Sequence, residues 1–333
     1  MDILSDVLKT VRLTGAAYFD VVTRAPWVAE QPTCDLVLPL VRPGAQHLVS
    51  YHVVTEGSCF ASLVDGQPLE VKGGEVIVFT RGDPHVLSSA PGMRAAPVTP
   101  DDFRAAMGGP LPFSVEYGDR GPVSAKLVCG FLACDATPFN PLLNQLPAVI
   151  KAGSAPDDRD NWLSQFIRVA QSESSSGRAG RESVLARLSE LMFVEVIRRH
   201  LESLPPEQAG WLAGLRDPYV GKALALMHRE PARDWTIEAL AREVALSRSV
   251  LAERFADLLG MGPMHYLARW RMQIAAGLLS GGGVNIAEVA AQTGYGSEAA
   301  FSRAFKKVVG VPPSAWRQGE RGQTGRGSSQ TAL

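Results

Sequence analysis

Nothing in these 333 residues approaches the run of about 18 apolar residues that a membrane-crossing helix needs. Cysteine is scarce. Cys34, Cys59, Cys129 and Cys134 are irregularly spaced and form no CxxC pair, which excludes a disulfide scaffold and makes reduced thiols the expectation. The sequence has no GxSxG elbow, P-loop, GxGxxG after a strand or HExxH, so the hydrolase, nucleotide-binding and zinc-protease chemistries lack their residues, and no cofactor is expected. The opening Met1-Asp2-Ile3-Leu4-Ser5-Asp6 carries acids where a secretory leader carries Lys or Arg, so the expectation is a cytoplasmic protein with no membrane partner.

Net charge is nearly absent too, at -1, but it is unevenly spread. Residues 217–318 hold twelve Lys and Arg against nine Asp and Glu. Within them, residues 265–318 hold six cations against only Glu288 and Glu298. Such a stretch is either a solvated face or the footprint of a polyanion partner. A hydrophobic fraction of 46% and a charged fraction of 20% exclude wholesale disorder, and the length implies more than one domain.

Residues 34–135 have the pattern of short strands between turns: Asp35 to Val41, His47 to Thr55, Cys59 to Val64, Glu75 to Phe79 and Ser124 to Cys134. That spacing predicts a sandwich or small barrel. The stretch from Ala90 to Pro112, rich in Pro, Gly and Ala, is expected as a loop or lid. From Asp157 the period becomes helical, with a helix from about Glu182 to Glu202 whose broad apolar face covers either its own domain or a second copy. Residues 217–317 show only helical periodicity, and 319–333 have the composition of a disordered tail.

The segment beginning at Ser247 repeats fifty residues later: Ser247 falls on Ser297, Leu251 on Phe301, Phe255 on Phe305, Leu258 and Leu259 on Val308 and Val309, Gly260 on Gly310 and Pro263 on Pro313. One buried helix face is written twice. Each copy starts with a serine suited to cap a helix and stops at Gly with Pro three residues on. A short helix precedes each, opened by Thr236 or Asn285, and the brief connection between short and long helix is that of a helix-turn-helix. The long helix then fits the major groove, and its outward residues become candidate contacts to double-stranded DNA. These are Ser247, Arg248, Ser249 and Glu253 in the first copy and Ser297, Glu298, Ser302, Arg303 and Lys306 in the second, with Arg269 and Arg271 on the joining helix as phosphate contacts.

Trp235 to Ala241, Ser247-Arg248-Ser249, Gly260 to Pro263, Tyr266 to Met272 and Gly294 to Lys307 together resemble the AraC/XylS family of bacterial transcription regulators. The match covers about a hundred residues; Trp316 departs from the family's usual Tyr. The resemblance implies a seven-helix DNA-binding domain whose two helix-turn-helix units enter successive major grooves, and RNA polymerase as a possible partner. Gly74, Thr80-Arg81-Gly82-Asp83-Pro84 and His85 resemble the second cupin motif, with Thr80 in place of its proline. The first motif is not matched: Ser50 stands where its Glu is expected, no HxH precedes it, and only His47, His52 and Glu56 lie near. The family's regulators often carry a cupin-like effector domain followed by dimerising helices.

The expected class is therefore α+β: a cupin-like β-barrel over 1–150 that senses a small molecule, a helical linker or dimerisation region over 151–216, an all-α double helix-turn-helix domain over 217–318, and the tail 319–333. His52, Cys59, His85 and Cys129 are candidate residues of the effector pocket, with no metal assigned. The expected function is a DNA-binding regulator, not an enzyme, acting as a homodimer. The alternative is a metal-dependent cupin enzyme with an appended helical module.

Overall fold

Alternation of apolar and polar residues from Thr14 onward and near-continuous burial from Leu48 to Val54 put strands, not helices, in the amino-terminal half. The computed structural model describes residues 3–108, 113–153, 162–176, 178–205 and 210–318. The expected tail, the Asp157 boundary and Gly177 lie outside them. In chain order the elements are α1 (Ile3–Thr10), β1 (Thr14–Arg24), β2 (Val28–Gln31), α2 (Cys34–Val41), β3 (His47–Leu63), β4 (Leu69–Lys72), β5 (Glu75–Phe79), β6 (His85–Ser88), α3 (Pro100–Ala106), β7 (Phe113–Tyr117), β8 (Val123–Cys134) and β9 (Val149–Gly153). Helices follow: α4 (Trp162–Ser176), α5 (Arg181–Ser203), α6 (Trp211–Arg216), α7 (Val220–Arg229), α8 (Ile237–Glu243), α9 (Arg248–Leu259), α10 (Pro263–Gly281), α11 (Ile286–Gln292) and α12 (Glu298–Val309), with a last helical turn over 313–318.

The chain divides into two compact units. One comprises Leu13–Cys134 and Leu146–Ser203, the other Met1–Arg12, Asp135–Gln145 and Leu204–Leu333. In the first, a nine-stranded curled sheet runs β2-β6-β3-β8-β1-β7, with β4 and β5 also on β3 and β9 on β5. All pairs are antiparallel except β1 with β7. The 17-residue β3 bridges the curl: residues 50–54 pair with β5, and residues 58–63 with β4 and β6. Gly57 lies between the two stretches at φ +74, and a Cβ there would sit 2.0 Å from the Ser124 carbonyl oxygen, so only glycine fits. The two strands expected over His47 to Thr55 and Cys59 to Val64 are thus one bent strand.

Two expectations are corrected. Asp35 to Val41 is helical, because its apolar residues serve one helix face: Cys34 and Val37 are buried while Leu36 is 53% exposed. The stretch from Ala90 to Pro112 is not merely a loop, since Thr99 caps α3 with a reciprocal capping box to Asp102. Arg94, bonded to both carboxylate oxygens of Glu30 at 2.7 and 2.8 Å, fastens that stretch to β2. Helix α5 packs on β1 and β9 through Leu185, Met192, Phe193, Val196 and Ile197, and α4 packs on α5.

In the second unit, α1 packs on α7 and α10, and Arg12 forms a two-bond ion pair with Asp135. The stretch 135–145 is held by Phe139, whose N–H donates to the Gln273 side chain and whose ring meets Tyr266 edge-on at 5.5 Å. Seven helical segments lie between 217 and 318: α7 to α12 and the turn over 313–318.

Candidate nucleic-acid interface and effector cavity

Each long helix of the repeat is bounded as its sequence dictates. Ser247 Oγ accepts from Val250 N at 3.3 Å, and Ser297 Oγ accepts from Ala300 N at 3.2 Å. Gly260 and Gly310 end the helices in the left-handed region, at φ 70 and 90. The short helices are capped by Thr236 and Asn285, the latter reinforced by Glu288. The cores beneath correspond: Leu251, Phe255 and Leu259 in the first copy, Phe301 and Phe305 in the second, are buried. One matched pair departs from the expected face, since Leu258 is half-buried and Val308 is 38% exposed.

The outward faces differ in how they are engaged. Arg248 is exposed and paired with Glu238 of α8 at 3.1 Å. Ser249 Oγ lies 3.2 Å from Ser247 Oγ, and Glu253 is exposed. Arg254 is held by Asp217, whose carboxyl is lowered by bonds from Arg254 and from the Val220 and Tyr219 amides despite its partial burial. On α12, Glu298, Arg303 and Lys306 are exposed and Ser302 half-buried, and among the described residues Arg303 and Lys306 form no ion pair.

The joining helix carries two arginines with partners inside the protein. Arg271 Nε donates to the Pro231 carbonyl at 2.7 Å and Nη2 to the Arg233 carbonyl at 2.8 Å. Those two bonds brace the turn before α8 and use two of the five guanidinium N–H donors of Arg271. The Arg269 guanidinium lies 4.5 Å from the Phe139 ring centroid, a cation–π contact. Phe139 was not foreseen in the sequence, where an aromatic in a loop gives no sign of its partner.

In the β unit the four pocket candidates converge. His52 pairs in register with Cys129 across β3 and β8, and its Nε2 lies 2.9 Å from His85 Nε2. His85 stacks on Phe79 at 3.9 Å. Burial pushes the Cys59 thiol up to about 12 and the Cys129 thiol well up, with Cys59 a further cause for Cys129. Burial also pushes His85 down to about 4 and His52 well down. The thiols are therefore protonated and the imidazoles neutral at pH 7, which suits them to packing and hydrogen bonding rather than redox chemistry. Among the described residues, no group of three or more His, Cys, Asp or Glu is placed to hold a metal.

His52 and Cys129 border a cavity of about 450 Å³. Trp27, Phe103, Tyr117 and Phe131 supply aromatic walls, and Ala96 to Thr99 with α3 supply another side. These wall residues come from five separate stretches of sequence. Of Trp27, Phe103, Tyr117 and Phe131, only Tyr117 and Phe131 lie on strands, and no local motif marks the wall residues as neighbours.

A family model described as "Cupin" matches residues 2–202, and one described as "Helix-turn-helix domain" matches residues 240–319. An AraC-like transcription regulator of Streptomyces lividans is 34% identical over 324 residues, covering 96% of this chain and 98% of that protein. The chain belongs to the AraC-like transcription regulators. The HTH-type transcriptional regulator AlkR of Acinetobacter baylyi is 27% identical, with 96% of this chain and 99% of that one covered. A solved structure of the DNA-binding domain of AdpA, in complex with a target DNA, is 28% identical, covers 32% of this chain and 96% of its own, and has a TM-score of 0.31. As an AraC-like regulator, the chain combines a cupin-like ligand-binding domain with a DNA-binding helix-turn-helix domain. Its relatives are named as regulators, not enzymes. Among the described residues no helix is long and apolar enough to cross a membrane.

Proposed function

We propose that α9 and α12 enter successive major grooves of one operator, with residues 217–318 as the DNA-reading domain and the cavity of residues 1–150 as the effector site. Arg248, Ser249 and Glu253 meet base edges or phosphates from the first helix, and Glu298, Ser302, Arg303 and Lys306 from the second. Ser247 and Ser297 act mainly as caps, and Arg269 and Arg271 are the phosphate contacts on α10. The observation that carries this reading is the duplicate: two capped, equally long helices on matched cores, the second with Arg303 and Lys306 held by no ion pair among the described residues. An effector shifts DNA binding only through unequal affinity for the two states of the regulator.

The regulator acts in the cytoplasm as a homodimer, with RNA polymerase as downstream partner. The exposed Val184 and Leu191, two turns apart on α5, support a second copy as the cover for that face. Binding of the full chain to the DNA upstream of its own gene, titrated with salt against random duplex, tests the reading. Affinity that falls steeply with salt and exceeds the random duplex by about a thousandfold or more is expected. A flat salt response, or no preference over random duplex, overturns it. A monomer at micromolar concentration by sedimentation would remove the dimer alone.

A further inference from the structure

The cavity of the β unit is walled by rings and carries almost no charge. Five aromatic residues border it: Phe19, Trp27, Phe103, Tyr117 and Phe131. Phe103 meets Phe19 and Phe131 edge-on at 5.3 and 5.7 Å, and Trp27 stacks on Tyr117 at 6.1 Å. Burial keeps the bordering His52 ring neutral, and the Cys129 thiol and Tyr117 phenol protonated, at pH 7. Among the described residues that border the cavity, Asp102 alone is charged, and there is no Lys or Arg.

The cap of α3 fixes where that charge sits. Asp102 Oδ2 accepts from the Thr99 hydroxyl at 2.6 Å and from the Thr99 amide at 3.0 Å, and these bonds hold the carboxyl below the usual carboxylate range. Both fall on one oxygen, and among the described residues Oδ1 has no partner. The side chain is exposed as well as bordering the cavity, which sets its charge at the rim. The fixed charges felt by the lining are acidic: after burial, Asp102 is among the further causes that raise the Tyr117 phenol, and Asp20 of β1 among those that raise the Cys129 thiol. The one basic residue of α3, Arg104, is taken up by Asp101. Coulomb attraction needs no bond alignment, so the rim favours positive charge whichever way a bound molecule turns.

We infer that the effector of this cavity is a hydrophobic cation, with an apolar body of about two rings between the aromatic walls and an ammonium-type group at the Asp102 rim. The inference rests on the reading of the cavity as the effector site. The volume of about 450 Å³ admits roughly three benzene-sized fragments, since a cavity of about 150 Å³ holds one, which leaves room for two rings and a head group. A carboxylate or phosphate would enter without a counter-charge and against Asp102. A neutral molecule of the same shape gains burial alone, whereas a cation adds attraction to Asp102 and to any ring face it meets. Asp102 is thus a specificity-determining residue, and Thr99 a positioning residue that holds its carboxylate in place.

Equilibrium dialysis of the full-length protein at low salt against (naphthalen-2-ylmethyl)trimethylammonium, its carbon isostere 2-neopentylnaphthalene and 2-naphthylacetate tests the charge requirement on one skeleton. The cation is expected to bind about three- to tenfold more tightly than the isostere, and the carboxylate least tightly. In Asp102→Asn, which keeps an acceptor for the cap and removes the charge, the preference is expected to fall to about twofold or less while the isostere binds as before. Asp102→Glu is expected to retain the preference. Loss of isostere binding in Asp102→Asn would show that the cap is disturbed, and the unaltered protein with Asp102→Glu then decides. Isostere binding as tight as that of the cation, a carboxylate tighter than the isostere, or a preference intact in Asp102→Asn overturns the inference and leaves the cavity reading in place. Failure of all three compounds to bind overturns the cavity reading with it.

Discussion

The two helix-turn-helix copies share caps, core and length, yet they hold their charges differently. In the first, Arg248 is paired with Glu238 and Arg254 with Asp217, and α9 carries two cations against Glu253 and Asp257. In the second, α12 carries Arg303, Lys306 and Lys307 against Glu298 alone. The turns differ as well. Thr236 and Ser247 are eleven residues apart, whereas Asn285 and Ser297 are twelve apart. The left-handed position of the first turn is Ala245 at φ 59, and that of the second is Gly294 at φ 77. Duplication has kept what holds each unit together and let the outward chemistry diverge. On the proposed reading, α12 meets DNA without first giving up an ion pair, while Arg248 brings its Glu238 pair into competition with DNA.

The largest effects lie where the copies agree. Phe255→Ala and Phe305→Ala each remove a fully buried ring and are expected to cost about 3–5 kcal/mol by urea denaturation. A loss confined to one of them would break the equivalence of the cores. The turns separate the copies next. Gly294→Ala is expected to lower stability by more than about 1 kcal/mol, because the new Cβ would sit 2.6 Å from the Ala232 carbonyl oxygen at a positive φ. Ala245→Gly relieves a left-handed alanine and is expected to be neutral or to stabilise by up to about 1 kcal/mol. Thermal denaturation of both variants checks the opposite signs. At the DNA, Arg303→Ala is expected to cost about 1–3 kcal/mol of discrimination at one base position, and Arg248→Ala less, as read from affinities for a panel of single-base operator variants. Equal losses would mean that the Glu238 pair does not compete with DNA. The smallest effect is that of Glu238→Gln, which frees Arg248 and is expected to raise operator affinity by no more than about fivefold, measured by fluorescence anisotropy.

Much of the helical unit was legible because its information is local. Ser247 and Ser297 cap, Gly260 and Gly310 stop, and Phe255 and Phe305 recur at one interval, so spacing alone placed the helices. The bonds of Arg271 were not legible, since its carbonyl partners at Pro231 and Arg233 lie about forty residues away and depend on how α10 packs. In the β unit, Asp35 to Val41 looked like a strand because a short apolar run fits either period until its burial is known. The convergence of His52 with His85 and Cys129 depends on the register of β3 with β8 and on the turn into β6, which no single stretch of sequence encodes. The Glu30–Arg94 clamp, which ties the stretch before α3 to β2, is equally non-local.

The helical unit is assembled from three stretches of chain, with α1 and residues 135–145 contributed from far upstream. A fragment excised from residue 204 or 217 onward would retain α9 and α12 but lose the aromatic that covers Tyr266 and Arg269, and the backbone N–H that donates to Gln273 Oε1. Weaker operator binding by such a fragment would measure amputated packing rather than missing regulation, and adding back the cupin-like half as a separate polypeptide would have to restore α1 and Phe139 to repair it.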